Sequence, residues 1–147
     1  MPKQSPRPQL PPPTIDGALR WLRIWYGILL IAMVLYVVVS ERAQHQPINM
    51  NPTFFAGISV VGALLVGIAL YVQVKKIRPA LETLQTKPAD VDSLASWRSA
   101  SLASYVIAEA VVLFGLCLRF LGGARSLSIP FYAMGLLLML FLFPRHP

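Results

Sequence analysis

A chain of 147 residues is one domain by length, but 56% apolar residues and a mean hydropathy of +0.61, gathered into long blocks, exclude an ordinary soluble fold. The net charge of +7 does not argue for nucleic acid, because the thirteen Lys and Arg lie almost entirely in segments flanking the apolar blocks, where they act as topology signals. With Cys117 as the only cysteine, an internal disulfide is excluded, and this residue reads as a small hydrophobe within a helix.

Residues 1–19 open with six prolines among the first thirteen residues, which predicts an extended, disordered tail. The first apolar block, 21–40, is too long for the core of a signal peptide. It also carries Glu41 and Arg42 where a cleavage site needs small residues, so an uncleaved span is expected. Trp21, Trp25 and Tyr26 are expected near one interface and Tyr36 toward the other. Residues 41–53 read as a short polar loop; neither its His45 nor His146 has a second metal ligand nearby.

The second block, 54–74, is rich in small residues. Ser59, Ala63 and Gly67 recur every fourth position with Gly62 beside them, a stripe that lets helix backbones approach closely. The helix bearing Glu109 is its expected neighbour, with Ser59 a candidate hydrogen-bond partner for that carboxyl. Residues 75–98 read as the sizeable loop: five basic residues, three acidic ones, Pro79 and Pro88. Asp90 or Asp92 can cap the following helix, which would leave Trp97 at the interface.

The third block, 100–121, holds Glu109 near its middle and ends near Gly122-Gly123. A charged side chain at the bilayer centre costs about 2.5 to 3.5 kcal/mol, and each Leu, Ile, Phe or Val offsets roughly 0.3 to 0.6. Residues 102–121 contain eleven of these four types, about 5 kcal/mol in total, so insertion is favoured. Hydrocarbon favours the uncharged acid over the carboxylate. On the helical repeat, Leu102, Tyr105, Glu109, Val112, Leu113 and Leu116 share a face, which makes Tyr105 a candidate support for Glu109. Arg119, about 15 Å along the axis, is expected to snorkel to the interface. The fourth block, 127–143, is shorter and ends at Pro144.

These blocks predict an all-α, polytopic membrane protein with four transmembrane helices in one domain, 20–147. The tail and start of the first helix carry four positive charges and the central segment five, against one and two in the outer connections, so both termini are expected to be cytoplasmic. No phosphate-binding glycine loop, metal-ligand cluster or nucleophile beside a base is readable, so neither an enzyme nor a cofactor is expected. The expected partners are the lipid bilayer and a second copy or another membrane protein.

Ala108-Glu109-Ala110, followed by Leu113-Phe114, Leu116 and Phe120-Leu121, resembles the carboxylate helix of the c subunit, or proteolipid, of rotary ATP synthases. That resemblance implies a glutamate that binds the transported proton, a small-residue partner helix joined through a cytoplasmic basic loop, and assembly into a ring. Arg78-Pro79 lacks the family's intervening glutamine, and Arg119 and two additional spans depart from its pattern. As a whole the chain, including Glu109 to Gly123, resembles small four-span bacterial membrane proteins with no assigned activity, implying a multi-pass protein of the bacterial inner membrane. The expectation is a structural or partner-binding four-helix bundle with an intramembrane carboxyl; the alternative is a proteolipid-like subunit in which Glu109 carries the proton.

Overall fold

The computed structural model describes residues 14–42 and 51–144, and among these every regular element is helical. Helix α1 spans Ile15–Arg42 and α2 spans Pro52–Val72. A π-helical turn, Gln73–Ile77, joins α2 to α3 at Arg78–Thr86; α4 spans Val91–Phe120 and α5 spans Arg125–Phe141. Three rods are long and apolar enough to cross a membrane: α1, the continuous Pro52–Thr86 rod and α4. This is a membrane protein. Helix α5 is shorter, about 25 Å at 1.5 Å per residue.

Local chemistry sets the helix ends. The Thr14 hydroxyl accepts from the Gly17 amide at 3.2 Å, so α1 begins six residues before the expected span, and Ala18 and Leu19 are buried rather than part of a tail. Asn51 caps α2 by accepting from the Thr53 amide at 2.9 Å, with Pro52 following at the position where a missing N–H costs nothing. Asp90, of the two expected caps, accepts from the Ser93 amide at 3.2 Å. Helix α4 stops where Gly122 takes φ = 82° and the Gly123 amide returns to the Leu118 carbonyl at 2.8 Å, a glycine-dependent Schellman ending.

The segment expected to be a loop over 75–98 is mostly helix, which corrects that reading. Its charges and prolines suggested irregular chain, but Pro79 lies in the first turn of α3, where proline is tolerated, and Ala80 and Leu84, four residues apart, give the helix a buried face. Only Lys87–Asp90 separates α3 from α4. Leu84, Leu94 and Trp97 join Ala18, Leu19 and Leu22 in the core. Trp97 is packed inside the bundle, 2% exposed, and does not present its ring to the surroundings.

Helix α4 is the hub, in contact with α1, α2, α3 and α5. Along α1 and α4 the pairs ascend together: Arg98 lies over the Trp21 ring at 4.7 Å, Tyr26 meets Tyr105 edge to face at 5.6 Å, and Tyr36 meets Glu109. The two helices run parallel. Helix α5 returns alongside, with Arg125 paired to Glu41 at 3.0 Å and Phe143 against Tyr26 at 5.4 Å.

The tightest approach between helices is α4 on α5, through glycines. A Cβ on Gly115 would stand 2.6 Å from the Tyr132 ring, and one on Gly135 would collide with the Val112 side chain and sit 2.9 Å from the Ala108 carbonyl. Close backbone approach of this kind is a main source of association in lipid, where burial of apolar surface drives little. The expected stripe on α2 has a different fate. Gly62 faces inward, a Cβ there lying 2.9 Å from the Phe131 ring of α5, whereas Ala63 and Gly67 are exposed and a Cβ on Gly67 would meet nothing within 4 Å. The inward face of α2 is instead Phe55, Ile58, Gly62, Val66 and Ala69, at helical spacing.

Candidate functional site

Glu109 lies about 16 Å along α4 from Arg98 and about 15 Å from Arg119, the middle of the helix. The exposed side of α4 carries Ala103, Val106, Cys117 and Phe120, whereas Ala108, Val111 and Val112, next to Glu109 in the helix, face the core. The carboxyl thus stands at the rim of the bundle, half-buried, where α1 meets α4.

Its partner is Tyr36. The Tyr36 hydroxyl donates to Glu109 Oε1 at 3.0 Å, with the phenol also half-buried. Helical side chains lean toward the N-terminus of their helix, so Tyr36, expected to mark an interface, is directed back along α1 toward the carboxyl. Both protonation states of Glu109 can accept this bond, because a carboxylic acid keeps its carbonyl oxygen free. A phenol donor on one helix and a carboxyl acceptor on its parallel neighbour make a polar clasp between α1 and α4.

The partners expected from the sequence are engaged elsewhere. Tyr105 is 1% exposed, its ring stacked edge-on against Tyr26 and its phenol beside Ser101. Ser59 donates to the Phe55 carbonyl of its own helix at 2.9 Å. That internal bond satisfies the hydroxyl and leaves nothing to direct it across to α4. Tyr36 was legible in the sequence only as an aromatic expected toward an interface; that it faces α4 follows from the packing.

Arg119 reaches toward the C-terminal end of α4 and away from Glu109. Its Nη1 donates to the Gly123 carbonyl at 3.2 Å, which ties the guanidinium to the glycine ending of α4, and its buried Nε has no hydrogen-bond partner. Tyr132 places its buried hydroxyl near Ser40, Glu41, Arg119 and Cys117, and Ser128 one turn earlier carries a buried hydroxyl without a partner among the described residues. This polar end of the bundle is separate from the Tyr36·Glu109 clasp. Among the described residues no three His, Cys, Asp or Glu side chains converge as a metal ion would require. His45, His146 and the prolines of residues 1–13 lie outside the described residues.

No family model, curated protein or solved structure matches this chain.

Proposed function

We propose that the chain is a four-span, partner-binding helix bundle of the bacterial inner membrane, with both termini and the Lys87–Asp90 turn on the cytoplasmic side and the Tyr36·Glu109 clasp at mid-depth. The fourth span is α5: its ends pair with Glu41 and Tyr26 of α1, so it runs alongside most of that helix despite its length. The orientation follows from the excess of Lys and Arg in the tail and the central segment.

The observation that carries the functional reading is the 3.0 Å bond from Tyr36 to a carboxyl half-buried at the rim. A polar pair in that position stabilises α1 against α4 and leaves the second carboxyl oxygen, which in the acid form donates its O–H, available to an acceptor on a partner helix. The test compares Glu109→Gln with Glu109→Ala in the intact protein. Gln keeps an acceptor for Tyr36 and a donor for a partner, so assembly and partner capture survive it and decline with Ala.

A second reading is favoured by the same half-exposure: a proteolipid-like subunit in which Glu109 carries a proton and borders lipid or a neighbouring copy. Gln cannot titrate, so under this reading Gln is as damaging as Ala. Carbodiimide labelling across a pH series, with Glu109→Gln as control, separates the two. Rapid Glu109-dependent labelling that fades only at high pH supports proton exchange, and absence of labelling at every pH rules it out.

A further inference from the structure

At the end of the bundle that carries Trp97, the structure encloses a cavity of about 220 Å³ between the π-helical turn, the start of α3, the first half of α4 and the end of α5. Its origin is geometric. A π turn places an additional residue in one turn and displaces the helix wall, and α5 stops at Phe141, leaving that side uncovered. Gln73, Arg78, Ser101 and Tyr105 contribute its polar lining, and Phe141 and Phe143 its outer lip.

The electrostatics have one sign. Arg78 is exposed, lines the cavity and makes no ion pair or hydrogen bond among the described residues; Glu82, one turn further along α3, does not pair with it. No acidic side chain lines the space, and Lys75 and Lys76 lie exposed on the π turn beside it. A free guanidinium with amide and hydroxyl groups nearby matches a phosphate with adjacent polyol hydroxyls, which it can grip through paired N–H groups.

The apolar lip decides the source of that phosphate. Phe141 and Phe143 are 52% and 51% exposed, next to the polar lining, so an occupant meets a charged recess and an open apolar surface within one site. A free phosphate would use only the recess; a phospholipid uses both. The depth also suits a headgroup, because the Trp21·Arg98 pair marks the level at which amphipathic aromatic and cationic groups meet the interface. Basic recesses between helices on the cytoplasmic side are suited to anionic lipid headgroups.

We infer that this cavity is a binding site for the headgroup of an anionic glycerophospholipid of the cytoplasmic leaflet, with Arg78 on the phosphate, Gln73 and Ser101 on the headgroup hydroxyls, and the acyl chains along Phe141 and Phe143. The site is independent of Glu109, and a loss of one leaves the other intact.

The test is native mass spectrometry of the full-length protein purified from equimolar phosphatidylglycerol and phosphatidylcholine. The expected result is preferential retention of phosphatidylglycerol, reduced about tenfold by Arg78→Ala, as loss of a charge-assisted hydrogen bond would give. Arg78→Lys, which keeps the charge and loses the fork, should fall between, and Lys75→Ala, outside the cavity, should retain the lipid. Equal loss in Arg78→Ala and Lys75→Ala would reduce the preference to diffuse surface charge and overturn the site. Displacement of the lipid by millimolar glycerol 3-phosphate would make the occupant a soluble phosphate and overturn the lipid assignment.

Discussion

Tyr36 and Glu109 are separated by 73 positions in the chain and joined by a 3.0 Å hydrogen bond, phenol to carboxyl, at the rim where two parallel helices meet. Because the tyrosine is the donor, the bond depends on an acceptor at position 109 and not on its charge. Glu109→Gln should therefore leave stability within about 0.5 kcal/mol of wild type. Tyr36→Phe and Glu109→Ala should each lower it by about 0.6 kcal/mol, the average for interhelical hydrogen bonds in membranes, and by at most about 1.7 kcal/mol. Unfolding in mixed micelles, followed by circular dichroism, measures all three.

The glycines give a sharper contrast. Gly135→Ala drives a methyl into Val112 and the Ala108 carbonyl, and Gly115→Ala drives one into the Tyr132 ring. Each should destabilise the bundle by about 1 to 3 kcal/mol, the cost of overpacking. Gly67→Ala and Gly57→Ala meet open space and replace glycine in a helix, so they should be neutral or stabilising by up to about 1 kcal/mol. The same micelle assay decides: equal costs at Gly135 and Gly67 would contradict the α4·α5 contact.

Removing the α4 cap gives a local effect. Asp90→Ala deletes the acceptor for the Ser93 amide and should cost about 1 kcal/mol. Hydrogen exchange at the first turn of α4 should rise while the Glu109 region keeps its protection.

Topology is open to direct measurement. In a Cys117→Ser background, a cysteine at Lys87 should react with an impermeant maleimide only from the cytoplasmic face, and one at Ser126, exposed in the first turn of α5, only from the opposite face. Reaction of both from one face would contradict α4 as a span.

What the sequence made legible was local. The apolar blocks, the Asp90 cap, the glycine ending of α4 and the improbable carboxyl at mid-helix follow from hydropathy, backbone geometry and the cost of charge in lipid, none of which needs a neighbour. What it concealed depended on which helices adjoin. The 59-63-67 spacing shows that α2 has a small-residue stripe, but spacing does not say which face meets another helix; the side chains of Phe131 and Val66 settle that at Gly62's face instead. Tyr36 could not be paired with Glu109 without knowing that α1 and α4 adjoin and which of their faces meet. Helix α3 was hidden for another reason: its charges and prolines outweighed a two-residue apolar signal, Ala80 and Leu84, that becomes decisive only when α4 is there to cover it.

The most direct test of the clasp is a double-mutant cycle of Tyr36→Phe and Glu109→Ala in lipid bicelles, with unfolding free energies from steric trapping. The two losses should be strongly non-additive, with a coupling energy of about 0.6 to 1.7 kcal/mol, because each mutation alone already breaks the same bond. Additive losses, agreeing within about 0.3 kcal/mol, would show that Tyr36 and Glu109 act separately and would contradict the central claim.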